Sequence, residues 1–402
     1  LIPLQVLSAR SGETRAVEPD STYIQRFLDK FPEVPSRPGL DAYASPARFD
    51  ALFLSPEWEK KLEHASNDNG GMAWGWAYFM MALNEMYRCT GERHYLDANR
   101  QCVQAVLAAR DDIRGVTLWT GKTAPAWSSD KYAERGRAVF AVHTSMIVYP
   151  MLDFLCLARE NPVVKNELGN EYQAILNAAR ESMHYHDRQW REGPGEGEGH
   201  YIGLDQENAL EGKPLPGNRL SSMGRALWCL WKLTKSEVDQ HRALAIGRYI
   251  KNRLTVAPDG AFYWPYWLPL EPVTGSQPRE EIRGEDISHA SLTMALPIIL
   301  AGENAVFTRE DMARLGKTVT QGFARLNNGV LFGDITGKPD SSPDLAQIPG
   351  RWLRLSPFAP EAGERLTEFF LKYQPNPSPL DLALLIRYVA RPGRIIYVSK
   401  LG

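Results

Sequence analysis

Several patterns that identify common enzyme classes are missing from this 402-residue sequence. It has only four cysteines, and they form no C-x-x-C pair. Their apolar surroundings predict buried free thiols, not disulfides or a zinc site. A Gly-rich phosphate loop, a Ser-containing nucleophile elbow and an H-E-x-x-H helix are absent too. We therefore expect neither a bound metal nor a cofactor.

The sequence also lacks an excess of charge and a long apolar run. The 46 basic and 48 acidic residues leave a formal net charge of -2, so no overall field favours nucleic acid or an anionic membrane. The sequence contains no continuous stretch of about 20 apolar residues, which is the length a membrane-spanning helix needs. The chain starts at Leu1, and we expect a signal peptide to have been removed from a secreted or periplasmic protein. Its oligomeric state stays open.

What the sequence does contain is alternating helical patterns. Runs that are apolar on all faces, typical of buried helices, lie at residues 72–88, 138–157, 221–233 and 288–300. Amphipathic runs with charged outer faces lie between them, at residues 94–110, 166–184, 237–254 and 309–326. Val- and Ile-rich strands, the sign of a parallel sheet, are missing. We predict an all-α fold, an α/α toroid of about six or seven hairpins with apolar inner and amphipathic outer helices. Residues 1–19 form a lead-in, and residues 20–402 one catalytic domain.

One segment concentrates ionisable side chains at the predicted start of an inner helix. Arg283, Glu285, Asp286 and His289 lie within seven positions, just before the apolar run. Such a helix N-terminus is suited to holding a proton-transfer group. We predict that His289 is a base, that Glu285 orients it from i−4, and that Arg283 supplies a cation. Asp286 is interpreted as a helix cap.

Three further segments are expected at the same end of the toroid. The first contains Asn69, Trp74 and Trp76; the two indoles point about 200° apart on an α-helix, so only one can line the cleft. The second contains Trp127 and His143. Burial would keep the imidazole of His143 neutral, as a general base requires, although a buried histidine is often only a core residue.

The third segment places Asn218 and Arg219 at a loop-to-helix junction, where the Arg219 guanidinium suits a carboxylate. Close to the charged segment lies the aromatic run of residues 262–267. It offers a platform for sugar rings and a phenol acid at Tyr266 or Tyr263. The 11 tryptophans of the chain fit either sugar stacking or loop anchoring.

Three strings of the sequence resemble a known group of carbohydrate-active proteins. They are MAWGWAYFMMALNEMYRCTGERHYL, AVHTSMIVYPMLDF and GEDISHASLTM, within residues 70–330. Together they look like α/α-toroid uronate polysaccharide lyases of the glucuronan/alginate lyase type with a single toroid. The resemblance implies an anionic polysaccharide as substrate and β-elimination as the reaction, in which a base removes the C5 proton of a uronate.

The resemblance also implies a role for each candidate. Arg283 and Arg219 with Asn218 would neutralise the uronate carboxylate. His289 or His143 would be the base, and Tyr266 the acid. The remaining candidates would contact the substrate: Asn69, Trp74, Trp76, Trp127, Tyr263 and Glu285.

Other functions on the same toroid stay open. An inverting glycoside hydrolase needs two carboxylates across the scissile bond, for which Glu285 or Asp286 could pair with Asp205, Glu207 or Asp68. A uronate C5-epimerase would use the same base without cleaving the chain. A non-catalytic carbohydrate-binding toroid is the fourth hypothesis.

Overall fold

The structure, a computed structural model, describes residues 20–35, 39–204, 211–339 and 349–391. It is almost entirely helical. In chain order the α-helices are α1 (Asp20–Lys30), α2 (Leu40–Tyr43), α3 (Pro46–Phe53), α4 (Ala77–Thr90), α5 (Arg93–Ala108), α6 (Asp111–Arg114), α7 (Ala141–Glu160), α8 (Pro162–Leu168), α9 (Asn170–His184), α10 (Gly217–Thr234), α11 (Glu237–Lys251), α12 (Ile287–Thr293), α13 (Ala295–Gly302), α14 (Arg309–Lys317), α15 (Pro360–Tyr373) and α16 (Pro379–Leu385).

Shorter elements join these helices. The 3-10 helices are Trp58–His64, Asp187–Gln189, Arg279–Glu281 and Gly350–Leu355, and the π-helical turns are Met72–Trp76, Thr318–Phe323 and Ile386–Ala390. Strands β1 (Trp190–Glu192) and β2 (Gly199–Tyr201) form one antiparallel ribbon. Strands β3 (Thr255–Val256) and β4 (Phe262–Tyr263) form another. Both ribbons lie in the loops between hairpins, as expected for a chain without parallel-sheet patterns.

Six elements form a closed inner ring. Helix α4 packs on α7, α7 on α10, and α10 on α12 and α13. The ring continues from α12 to the 3-10 helix Gly350–Leu355, then to α16, which packs back on α4. An outer layer covers it, because α5, α9, α11, α14, α15 and α3 each pack on one inner element in turn. The described residues thus form an α/α toroid of six inner–outer pairs, and the predicted fold class is confirmed.

Burial follows the predicted division into apolar and amphipathic helices. Every residue of α7 from Ala141 to Ala158 is buried, including His143 and Asp153. This helix is long and apolar enough to cross a membrane, but it lies wholly inside the toroid. All four cysteines are free and buried, as predicted.

Two inner elements differ from the predicted helices. The run at residues 288–300 is split between Thr293 and Ala295. Pro297 causes this break, because proline has no N–H and its ring clashes with the carbonyl four residues earlier, at Thr293. The fifth inner element, Gly350–Leu355, was not predicted, because its Arg-Trp-Leu-Arg-Leu sequence has no apolar helical period.

A buried ion pair ties together the loops on either side of α11. The Arg253 guanidinium binds both carboxylate oxygens of Glu198 at 3.0 Å, and neither side chain is exposed. It also donates to the carbonyl of Pro269 at 2.7 Å and stacks on the ring of Tyr249. Burial alone would raise the pKa of Glu198, but its hydrogen bonds with Arg253 and Asn252 hold it below the ordinary value. The pair therefore holds residues 269–270, which follow the aromatic run of residues 262–267, against the end of α11.

We predict that Arg253→Met lowers the free energy of unfolding by about 3–5 kcal/mol, because it leaves the Glu198 carboxylate buried without its cation. Urea denaturation followed by circular dichroism measures this loss. Arg248→Met, in the last turn of the preceding helix α11, is the matched control. Arg248 makes only an exposed 3.3 Å contact with the carbonyl of Gly197, so its loss is expected to cost about 0.5 kcal/mol or less. Equal effects in the two variants would contradict the prediction.

Candidate active site

The closed ring brings the N-termini of the inner helices to one end of the toroid. His143 and His289 are each the third residue of their helix, and Arg219 is the third residue of α10. The next inner element is held at the same level, since the Trp352 indole donates to the carbonyl of Ile287 at 2.9 Å. Candidates that are up to 146 residues apart in sequence therefore meet at one opening.

His289 is oriented by Asp286. The Asp286 Oδ1 atom accepts the N–H groups of Ser288 and His289 at 3.1 and 3.0 Å, which confirms that Asp286 caps α12. Its Oδ2 atom lies 2.5 Å from Nδ1 of His289. Burial alone would raise the pKa of Asp286, but the hydrogen bond and charge of His289 hold it below the ordinary value. The carboxylate accepts Nδ1–H, so Nε2 of neutral His289 is the basic nitrogen.

Glu285, which was predicted to orient His289, is directed elsewhere. Its Oε2 atom accepts hydrogen bonds from the Trp264 indole at 2.6 Å and from the Thr293 hydroxyl at 2.8 Å. The side chain has no exposed surface, and burial raises the pKa of this carboxyl well above its ordinary value. Glu285 precedes the helix cap, so its side chain runs beneath α12. It joins the aromatic run of residues 262–267 to α12.

Tyr266 and Arg219 extend the group around His289. The rings of Tyr266 and His289 meet edge to face, with centroids 5.1 Å apart. Arg219 lies close enough to Tyr266 for its charge to act on the phenol. Burial raises the pKa of the Tyr266 phenol, and Arg219 only partly opposes this effect. The phenol therefore stays protonated at neutral pH, which suits a proton donor.

His143 is held neutral on the opposite side of Arg219. Burial lowers its pKa to about 3, and the charges of Arg219 and Lys131 add to the effect. Its Nδ1 atom lies 3.3 Å from the Asn67 side-chain nitrogen. That nitrogen also donates to the carbonyl of Trp127 at 2.9 Å, while the Asn67 oxygen accepts the N–H of Ala73 at 3.2 Å.

These contacts fix both the Asn67 amide and the His143 tautomer. Because the Asn67 nitrogen must donate, Nδ1 of His143 accepts and Nε2 carries the hydrogen. A neutral His143 is thus a hydrogen-bond donor at Nε2, not a ready base. The residues His143, Arg219, Tyr266, Asp286 and His289 are called the mouth cluster below.

Aromatic rings and a tight turn enclose His143. Trp74, Tyr132 and Phe140 contact its ring with centroids 5.6, 5.4 and 5.2 Å away. Gly70 approaches closely with a φ of +78°, and a Cβ there would lie 3.1 Å from Tyr132. Only glycine combines this backbone conformation with that space.

The remaining substrate-binding candidates near the opening are Trp74, Trp76, Asn69 and Asn218. Trp76 and Asn69 line a pocket beside the mouth cluster. Trp74 lies against His143, whereas Trp76 lines the pocket, so the two indoles have different surroundings although Met72–Trp76 is a π-helical turn. Asn218 is buried, and its Oδ1 atom has no hydrogen bond within the described ranges.

Three candidates are not brought into the mouth cluster. Trp127 is 1% exposed, and its indole donates to the carbonyl of Val106 at 2.7 Å, inside the core. Tyr263 is buried on β4 near Asp259. Both rings are covered by the protein because they lie in loops that pack under the helix ends. Arg283 is exposed and makes no ion pair with a described residue.

Sequence reasoning missed Asn67 and Tyr132, and it assigned the orienting role to the wrong acid of the Glu285–Asp286 pair. The contact with Asp286 could have been predicted. An aspartate at an N-cap uses one carboxylate oxygen for the cap, and its second oxygen is within reach of a side chain at i+3. No local pattern predicts the contact of Asn67 with His143, which lies 76 residues later.

We predict that His143 does not titrate between pH 5 and 8 and carries its hydrogen at Nε2. Two-dimensional ¹H–¹⁵N spectra of histidine-labelled protein measure both properties, with His143→Gln for assignment. Because the folded-state pKa of about 3 lies below the ordinary 6.5, the folded chain binds fewer protons in that window. Stability from this residue is full above pH 6.5 and falls as pH drops towards 3. A titration midpoint near 6.5 would contradict the assignment.

Comparisons with known proteins find solved structures that are similar to this chain at low sequence identity. No protein-family profile matches the sequence, and no curated protein matches it. Solved structures of the α-1,6-mannanase GH76A of Salegentibacter sp. HEL1_6 are similar at 13% identity and a TM-score of 0.48, with 92% of this chain and 97% of that chain covered. Inactive double variants of that enzyme bound to α-1,6-mannotetrose and α-1,6-mannotriose give 13% and 14% identity, the same TM-score, and 79% and 88% coverage of the two chains. Those structures are of mannanases, not of uronate lyases.

Proposed function

We propose that this protein is a polysaccharide lyase that cleaves a 4-linked uronate glycan by β-elimination at the mouth cluster. The observation that carries the proposal is the contact of His289 with two groups: Oδ2 of Asp286 lies 2.5 Å from its Nδ1 atom, and the ring centroid of Tyr266 lies 5.1 Å from that of the imidazole. A fixed cation, a protonated phenol and an imidazole with a free Nε2 lie together at one opening. These are the groups that removal of a weakly acidic C5 proton requires.

Each proton transfer and each bond change in the reaction is assigned to a group. Nε2 of His289 takes the C5 proton, and the C5–H electron pair forms the C4–C5 double bond. The C4–O bond breaks, and Tyr266 donates its proton to the leaving oxygen. The resulting tyrosinate is reprotonated from imidazolium or solvent. Asp286 stabilises the imidazolium that forms on His289, because its carboxylate is 2.5 Å away.

Recognition of the uronate carboxylate is assigned to Arg219, His143 and Asn218. Arg219 offers a planar pair of N–H donors, and His143 offers Nε2–H. The neutral state of His143 avoids a second buried charge when no substrate is bound. Trp74 and Trp76 present rings to the sugar, as aromatic platforms do in carbohydrate sites. Arg283 is exposed at the rim, and its proposed role is to attract an approaching polysaccharide chain by its charge alone.

An anionic polymer of this kind is met outside the cytoplasm, so we propose a secreted or periplasmic location. A uronate C5-epimerase would use the same groups without breaking the C4–O bond. The phenol of Tyr266, which is kept protonated by burial, favours protonation of a leaving oxygen and therefore cleavage.

An inverting glycoside hydrolase is the second candidate. Asp68 and Asp130 line the pocket that also contains Asn69 and Trp76, so two carboxyl groups lie beside an aromatic ring. Burial alone would raise the pKa of Asp68, but hydrogen bonds with Ser66 and Arg137 keep it below the ordinary value. Such a group serves as a base.

The hydrolase also needs an acid with a raised pKa. Glu285 has one but is fully buried. Asp205 and Glu207 lie outside the described residues.

Incubation with glucuronan, alginate and heparosan, together with a neutral mannan, separates these functions. We expect new absorbance near 232 nm with a uronate polymer (roughly the range of a conjugated enoate), because β-elimination creates a C4–C5 double bond. Reducing ends that appear without absorbance would support the hydrolase and contradict the lyase. Proton exchange from solvent into an uncleaved polymer would support the epimerase. Unchanged polymers in every case would leave only the binding toroid.

His289→Ala is expected to lower kcat/KM by about 10²–10⁴-fold, since it removes the base. His94→Ala is the matched control, because the side chain of His94 is 46% exposed on the outer helix α5. Steady-state rates at 232 nm (about the absorbance maximum expected above) measure both variants. Equal activity in the two would overturn the assignment of His289.

Asp286→Asn tests the orienting contact separately from the cap. Asparagine caps a helix about as well as aspartate, so the midpoint of thermal unfolding should stay unchanged. The loss of charge beside His289 should lower kcat/KM about tenfold or more, because the imidazolium that forms on His289 loses its charged hydrogen-bond partner. An unchanged kcat/KM would mean that Asp286 is only a cap.

A further inference from the structure

The interior of the inner ring contains charged side chains below the mouth cluster. Five arginines and three carboxylic acids project there from the inner elements. If all are ionised, the described residues leave an excess of two positive charges. Burial of unpaired charge is costly, so the distribution of partners decides where that excess lies.

Three of the arginines share two carboxylates. Arg88 donates to Oδ2 of Asp153 at 2.9 Å. Arg354 donates to Oε1 of Glu85 at 3.3 Å, and Arg387 donates to Oε2 of the same residue. These arginines form a hydrogen-bonded network at the end of the ring away from the mouth, and each guanidinium has a carboxylate partner there.

Arg225 has no such partner. It is 2% exposed, donates through Nη2 to the sulfur of Met146 at 3.3 Å and lies 4.3 Å above the ring of Tyr149. Its Nε atom has no hydrogen bond within the part of the chain that the structure describes. Burial, with nearby Arg354 and Arg351, lowers its pKa to about 10. A guanidinium so weakly satisfied has donors available for an oxyanion.

Arg351 adds a second guanidinium near the first. It is 6% exposed, lies 4.6 Å above the ring of Tyr78 and donates to the carbonyl of Ser288 at 3.3 Å. Arg351 makes no ion pair with a described carboxylate. Asp381 is close enough for the charges of Arg351 and Arg354 to oppose the effect of burial, which raises its pKa to about 6, and its Oδ1 atom has no described hydrogen-bond partner.

Both arginines lie on the path inward from the mouth cluster. Arg225 follows Asn218 by seven residues on α10, two turns or about 10 Å deeper in the ring. Tyr78, against which Arg351 stacks, follows Trp74 by four residues on the same wall. The free donors therefore lie beneath the opening.

We propose that the guanidinium groups of Arg225 and Arg351 bind an oxyanion in the ring interior, beneath the mouth cluster. Guanidinium groups match carboxylates because their parallel N–H donors meet both oxygens. The occupant is either the carboxylate of a uronate unit or a free small anion of the same chemistry. This site is distinct from the groups that carry out the proposed elimination, so it does not depend on that reaction.

Isothermal titration calorimetry in low-salt buffer tests the site with sodium glucuronate, inorganic phosphate, sodium chloride and neutral glucose. Wild type, Arg225→Met and Arg219→Met are compared, the last to remove the carboxylate contact of the mouth cluster. Saturable binding of glucuronate but not glucose is expected in wild type and in Arg219→Met. Arg225→Met should weaken it about tenfold or more, the loss of a hydrogen bond to a charged group.

The source of the anion follows from the probes. Binding of glucuronate alone supports a sugar carboxylate as the occupant, and binding of phosphate or chloride as well supports a free anion. No saturable binding of any anion, or equal affinity in wild type and Arg225→Met, would overturn the site. Loss of all binding in Arg219→Met would do so too, because only the mouth would then bind. Failure of the absorbance screen leaves these outcomes unaffected.

A stability measurement separates ligand binding from a structural role. Without anion, Arg225→Met should unfold at the same or a higher urea concentration than wild type, since it removes a buried unpaired charge at similar volume. Arg354→Met is the control: it breaks a hydrogen bond with Glu85 and should unfold earlier while keeping glucuronate affinity. If Arg225→Met unfolds as early as Arg354→Met, Arg225 is a structural residue and the proposal fails. If Arg225→Met does not fold, the wild-type and Arg219→Met titrations decide.

Discussion

Closure of the inner ring is the constraint on which the rest of this structure depends. Each inner element before α16 is followed by an outer helix that returns the chain, so successive inner helices run in the same direction. When α16 packs back on α4, six N-termini are left around one opening. Helix N-termini carry unpaired N–H groups and partial positive charge, so this end of the toroid is suited to polar and anionic groups whatever the loops contain.

Polar residues inside the ring are arranged by depth. At the opening, Asp286 is shared between the cap of α12 and His289, so one carboxylate both ends a helix and orients an imidazole. Further in, the charges of Arg88, Asp153 and Glu85 satisfy one another. Arg225 lies between these levels and belongs to neither network. Buried charge without a partner is expensive, which is why this position suggests a ligand.

Local patterns predicted much of the architecture. The apolar run around α7 predicted a buried inner helix, because a helix that is apolar all round can only be buried. The cap at Asp286 followed from residue type and position. The split at Pro297 was available from the same rules but was missed. The short inner element Gly350–Leu355 could not be predicted, since tertiary packing, not its own periodicity, makes it helical.

The sequence alone determined most helix positions, the inner or outer place of those helices, and the group of ionisable residues before α12, because these depend on neighbours within a few positions. Tertiary structure decided the site. In the folded chain Glu285 accepts a hydrogen bond from Trp264, and Asp286 is the residue that contacts His289. It buried Trp127 and Tyr263, and it set the tautomer of His143 through Asn67. Those outcomes depend on contacts between residues far apart in the chain and on burial, which no local pattern records.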